Sequence, residues 1–172
     1  PLERDQLFRA AARIGSDVPL FLEPPAAVLG GRGDRVEPLD ARAKARVSRR
    51  RVLIFKPSFS VSTAWAYSRL DEAERENSMD LRTFSLPNWL DSDDRLERLI
   101  SNSFSGILRL KFPAYPVLMD RLNEQFGLTC GISGSGSAAF ALIPEGFQTA
   151  EVEASIRTAW GPRVFMVESR LA

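Results

Sequence analysis

The residues best suited to chemistry stand in two short runs far apart in the chain. Near the end, Gly131-Ile132-Ser133-Gly134-Ser135-Gly136-Ser137-Ala138 alternates glycine with serine and passes into the apolar Ala139-Phe140-Ala141-Leu142. Near the start, Gly15-Ser16-Asp17-Val18-Pro19 sets a lone carboxylate between a glycine and a proline. Glycine reaches positive φ and lets backbone approach a ligand closely, and successive amide N–H groups in such a turn form a concavity for anions. By residue type alone, the first run is either a phosphate-handling loop beside a core strand or a plain connection. Asp17 is either a base that orients a hydroxyl or a helix-capping aspartate.

Composition narrows the chemistry. The 172 residues are 44% hydrophobic and 26% charged, which fits one globular domain or two small ones. There is no histidine, so this chain by itself holds no Ser-His-Asp or Cys-His triad and no His-bearing zinc site. Cys130 is the single cysteine, which excludes an internal disulfide and points to a reducing, cytoplasmic setting. The net charge of +1 gives no global field for nucleic acid. No apolar run approaches the length of a membrane span, and no signal peptide is visible. No metal site is expected from the residue spacing. The start at Pro1 hints at a processed or incomplete chain.

The elements that must carry these residues follow from periodicity. A helix is predicted over 2–14, with Leu7, Ala10, Ala11 and Ile14 on one face and Gly15 as its stop. Val18–Leu22 is a short apolar run broken by Pro24-Pro25. Two strands, 26–29 and 35–39, flank a joint in which Arg32-Gly33-Asp34 reads as a turn. Residues 40–51 are polar, with Arg42, Lys44, Arg46, Arg49, Arg50 and Arg51. They read as a solvated connector between two parts, or as a basic segment that binds nucleic acid or anionic lipid. Val52–Phe55 is a strand, and Lys56 at its end reads as a surface residue. A helix capped by Ser60 or Ser62 runs to about Leu70, and 71–88 reads as irregular. A helix capped by Asp91 or Ser92 carries Leu96, Leu99, Ile100 and Phe104. Tyr115, Leu118, Met119, Leu122 and Phe126 form the clearest helical stripe, ended by Gly127. Strands flank the Gly/Ser run, a helix carries Val152, Ile156 and Trp160, and a last strand covers 164–167. This order predicts an α+β fold, an antiparallel or mixed sheet with helices on one face.

Four stretches carry a resemblance. They are Ile14-Gly15-Ser16-Asp17-Val18-Pro19-Leu20-Phe21; Ala26-Ala27-Val28-Leu29-Gly30-Gly31-Arg32-Gly33-Asp34 with Pro38-Leu39; Pro57-Ser58-Phe59-Ser60-Val61-Ser62-Thr63-Ala64-Trp65-Ala66-Tyr67; and Ser133-Gly134-Ser135-Gly136-Ser137-Ala138-Ala139-Phe140 with Asn102-Ser103-Phe104 upstream. In order and spacing they resemble the small-molecule kinases of the GHMP superfamily. Within it they look like the branch that phosphorylates a cytidine-diphosphate-linked methylerythritol in non-mevalonate isoprenoid biosynthesis. The resemblance implies a GHMP-kinase-like α+β fold. Residues 1–40 would be the remnant of an N-terminal domain of the ribosomal protein S5 domain 2-like kind, 41–50 a connector, and 51–172 a ferredoxin-like α/β sandwich. It implies Asp17 as the catalytic carboxylate. Thr63 and Tyr67 would be substrate contacts, with Tyr67 against the cytosine. Gly134, Ser135, Gly136 and Ser137 would be the loop that shapes the phosphate region.

The resemblance also implies ATP and Mg2+ as cofactors, with the cytidine-linked polyol and ATP as the partners and neither nucleic acid nor membrane among them. The family's main glycine-rich ATP loop and its nearby lysine would precede residue 1. The chain therefore reads as the downstream part of such a kinase, inactive alone, with apolar residues of 1–40 open to self-association. Two rivals stand beside this reading. One is another GHMP small-molecule kinase. The other is a non-catalytic α+β module that binds RNA or protein through the basic segment 42–51.

Overall fold

A computed structural model of the chain describes residues 3–15, 18–22, 26–30, 35–76, 89–90, 92 and 94–171. Asp17 and Ser16, the turn at 32–34, most of the polar stretch 71–88, and Asp91 lie outside these described residues. The chain divides into two compact units, Pro1–Arg49 and Arg50–Leu171.

In the first unit, helix α1 (Arg4–Ile14) opens on a capping box, in which the Gln6 side chain accepts from the Glu3 amide at 3.1 Å and the Glu3 side chain accepts in return. The Gly15 amide closes the helix on the Ala11 carbonyl at 3.2 Å. The apolar run Val18–Leu22 winds into a 3-10 turn. Strands β1 (Ala27–Gly30) and β2 (Arg35–Pro38) pair antiparallel, Val28 against Glu37 and Leu29 against Val36. The polar stretch expected as a connector is largely a helix, α2 (Ala41–Val47). Asp40 Oδ1 accepts from the Ala43 amide at 2.7 Å, and alternate alanines supply the propensity that the arginines concealed.

The second unit holds β3 (Arg51–Lys56), α3 (Thr63–Arg75), a 3-10 turn (Leu96–Leu99), α4 (Ser105–Lys111), α5 (Ala114–Phe126), β4 (Cys130–Ile132), β5 (Ala139–Ile143), α6 (Ala150–Trp160) and β6 (Phe165–Arg170). Its sheet has the order β4-β5-β3-β6, with every pair antiparallel. A β-α-β-β-α-β succession closed in this order is the ferredoxin-like arrangement, and the chain is of the α+β class.

Period-two alternation decides the two sheet faces. Leu53 pairs with Ala141 and Phe55 with Ala139, and all four point into the core with Leu118, Leu122, Val152 and Ile156. On the other face, Val52 pairs with Leu142 and Ile54 with Phe140. These four line an apolar groove of about 380 Å³, roofed by Leu96, Leu99 and Ile100. At Gly131 a Cβ would stand 2.7 Å from Cζ of Phe140 and 2.8 Å from Ile100, so only glycine admits these side chains. At the far flank, β6 pairs with β3 alone and leaves Phe165 and Val167 exposed.

The helix expected to carry both Leu96 and Phe104 is interrupted. Asn102 Oδ1 accepts from the Phe104 amide at 2.8 Å, and the Ser105 amide reaches the Asn102 carbonyl at 2.9 Å. The asparagine offers the backbone a local partner, so one helix ends before it and α4 starts after it. The helix α3 runs past Leu70 to Arg75, capped by Ser62, whose Oγ accepts from the Trp65 amide at 3.3 Å.

Candidate active site around the Gly/Ser loop

The Gly/Ser run joins β4 to β5. The carbonyls of Ile132, Ser133, Gly134, Ser137 and Ala138 are taken from within the protein. Asn102 Nδ2 donates to the Ile132 carbonyl at 2.7 Å and to the Gly134 carbonyl at 2.8 Å. The Tyr115 hydroxyl donates to the Ser137 carbonyl at 2.9 Å. The Gly136 amide closes a turn on the Ser133 carbonyl, and the Ser133 amide reaches the Ala138 carbonyl, both at 2.9 Å. The amides of Gly134, Ser135, Ser137 and Ala138 donate to nothing among the described residues. Four loop donors are therefore left over, which is the polarity an anion requires.

Gly136 sits at φ 81°, and a Cβ there would meet Tyr115 Oη and Val61 at 3.4 Å. The loop thus lies close on the helices beneath it. Tyr115 is fully buried, and burial pushes its hydroxyl up to about 12, so it remains a donor throughout the physiological range.

Thr63 opens α3, and its hydroxyl lies 3.0 Å from the Ser135 hydroxyl. Tyr67 stands one turn further along the same face. Its ring is 54% exposed and meets Phe104 edge-on, with centroids 5.0 Å apart and planes at 80°. Phe104 is held in turn through its amide on Asn102. Thr63 is therefore joined to the Gly134–Ser137 loop directly, and Tyr67 is tied to it through Phe104 and Asn102. Asp17 lies outside the described residues.

The other candidate groups are engaged elsewhere or inert. Arg50 pairs with Glu97 at 3.1 Å. Arg51 grips Glu168 with two bonds of 2.7 and 3.0 Å and also donates to the carbonyls of Pro144 and Phe147. These contacts use two of the arginines on which an RNA-binding reading of the basic segment depends. Burial pushes the Cys130 thiol up to about 12, which removes it as a nucleophile. Among the described residues no cluster of acidic, Cys or His side chains is able to hold a metal ion, and no helix is long and apolar enough to cross a membrane.

Comparison with known proteins fits this geometry. The chain is 35% identical over 146 residues to the 4-diphosphocytidyl-2-C-methyl-D-erythritol kinase of Salinibacter ruber, covering 84% of the chain and 49% of that relative. It is 34% identical over 149 residues to the kinase of the same name from Thermodesulfovibrio yellowstonii, covering 83% and 50%. A crystal structure of 4-(cytidine 5'-diphospho)-2C-methyl-D-erythritol kinase superposes with a TM-score of 0.63 at 30% identity, over 94% of this chain and 56% of that one. In sequence and in fold, the chain is a relative of these kinases. It spans about half the length of the curated relatives it matches. No family profile matches it.

Against these kinase relatives, two contributors escaped the reading of residue types. Tyr115 lies in an apolar helical stripe, but a buried tyrosine must place its hydroxyl on a partner, and that requirement was the available signal. The resemblance set Asn102-Ser103-Phe104 beside the Gly/Ser run, but the bonds of the Asn102 carboxamide to that run have no local pattern to announce them.

Proposed function

We propose that the chain is the downstream part of an ATP-dependent kinase that phosphorylates a hydroxyl of a cytidine-diphosphate-linked methylerythritol. The observation that carries this is the 3.0 Å approach of Thr63 to Ser135, beside four loop amides without partners. It joins a residue of the proposed cytidine side to one of the proposed phosphate side. Phosphoryl transfer asks a protein mainly for positioning and charge stabilisation, and a turn rich in free amides provides both for a phosphate. ATP supplies the γ-phosphoryl group when bound. Gly134, Ser135, Gly136 and Ser137 flank the phosphates, Thr63 and Tyr67 hold the cytidine end, and Asp17 takes the proton of the attacking hydroxyl. Mg2+ would enter with the ATP phosphates, since among the described residues no group of three or more acidic, Cys or His side chains gathers to hold it. Under this reading residues 1–40 are the remnant of the first kinase domain, 41–50 the link, and 51–172 the second domain.

Titration with cytidine diphosphate tests the reading. Stacking on an aromatic ring is worth about 1–3 kcal/mol, so Tyr67→Ala is expected to weaken binding by about tenfold or more. Equal affinity in Tyr67→Ala and the parent chain would assign the site to another substrate of the superfamily. The 172 residues alone are expected to show little turnover, because the glycine-rich ATP loop of the resemblance is not among them.

A further inference from the structure

Among the described residues, the carboxamide of Asn102 is the one side-chain group bonded both to the loop and to the segment that braces Tyr67. Its nitrogen end donates to the carbonyls of Ile132 and Gly134, and its oxygen end accepts from the Phe104 amide. Only one orientation of the group satisfies these partners, because two carbonyls need a donor and an amide N–H needs an acceptor. The nitrogen end holds two loop carbonyls, and the amide that follows each across its trans peptide plane, of Ser133 and of Ser135, points the opposite way; the Ser133 amide meets the Ala138 carbonyl. The oxygen end fixes the backbone of Phe104, whose ring meets the edge of Tyr67 at 5.0 Å. Asn102 is half-buried, and its bonds to Ile132 and Phe104 are partly shielded from water while that to Gly134 is exposed.

We propose that Asn102 is a positioning residue that fixes the Gly/Ser loop and the Tyr67 ring relative to each other through the two ends of one carboxamide. The functional meaning of this coupling rests on the kinase reading above; the coupling itself does not. It makes the phosphate side and the cytidine side of the site one mechanical unit.

The two ends are separable by substitution. Asn102→Ala removes both. Asn102→Asp keeps the oxygen for Phe104 and loses the donors for the loop. In the 172-residue chain, amide hydrogen exchange at Ser133 and Gly136 reads the loop, and the ring resonances of Tyr67 and Phe104 read the aromatic end. Asn102→Ala is expected to raise loop exchange about tenfold, the factor that follows from losing one or two hydrogen bonds, and to move both rings. Asn102→Asp is expected to raise loop exchange similarly while leaving the rings at their parent positions. Loop exchange within about twofold of the parent in Asn102→Ala overturns the proposal, as do rings that move as far in Asn102→Asp as in Asn102→Ala. Should Asn102→Ala not fold, Asn102→Leu replaces it, since leucine is close to asparagine in shape and lacks both the donor and the acceptor. Titrations with pyrophosphate and with cytidine then address the kinase reading separately. Loss of pyrophosphate affinity in Asn102→Ala extends the coupling to ligand binding. A parent chain that binds neither probe counts against the kinase reading, while exchange and ring shifts still decide the role of Asn102.

Discussion

Gly136 shows how narrowly the loop is specified. At φ 81° an alanine is strained by about 1–2 kcal/mol, while its methyl group would do no more than touch Tyr115 and Val61. Gly136→Ala is therefore expected to lower stability by about that amount, measured as a shift in the urea midpoint at unchanged slope. Cys130 supplies a second test at this scale. With its thiol pushed up to about 12, alkylation by iodoacetamide at pH 8 should be slow in the folded chain and rapid in denaturant. The sequence displayed the loop residues as candidates because glycine and hydroxyl types advertise their chemistry, whereas Thr63 and Tyr67 became candidates only through the resemblance. It concealed that Asn102 and Tyr115 hold the loop, because a side chain's partner 30 or 22 positions away leaves no mark on local pattern.

Among the elements, the meeting of β3, β6 and the turn before α6 depends on charge. Glu168 is held below the ordinary 4.5 by its hydrogen bond from Arg51, and Glu145 by that from Arg170. A carboxyl lowered in the fold stabilises above its unfolded value, and that stabilisation is lost as the pH falls through the folded one. The urea midpoint should therefore drop between pH 7 and pH 3 more in the parent chain than in the Glu145→Gln/Glu168→Gln double variant. Arg51→Met should also free the turn from Pro144 to Phe147, seen as earlier proteolytic cleavage there, because two backbone carbonyls lose their donor. Strands and the long stripe of α5 were legible, since alternation and 3.6-residue spacing are imposed by burial on one face. The break at Asn102 and the helix α2 were not, because a side-chain bond to the backbone and a cap overrode the apolar pattern there.

At the scale of the molecule, the second unit holds its whole sheet and its hydrophobic cluster between Arg50 and Leu171. Residues 50–171 expressed alone are expected to unfold cooperatively, with circular dichroism showing a single transition. Its α+β class was legible as a succession of strand and helix signals and its ferredoxin-like arrangement only through the resemblance, whereas the pairing of β3 with β6, across more than a hundred residues, follows from closure of the sheet rather than from any local signal. The sheet's far flank carries a last consequence. Among the described residues strand β6 pairs on one side only, with Phe165 and Val167 exposed, and its C-terminal half is screened by Glu168 and Arg170 in ion pairs. Such charges keep a second molecule from adding its own strand. Acid neutralises the glutamates and lifts that guard, so turbidity should develop at low pH while the strands are still intact, as copies stack flank to flank.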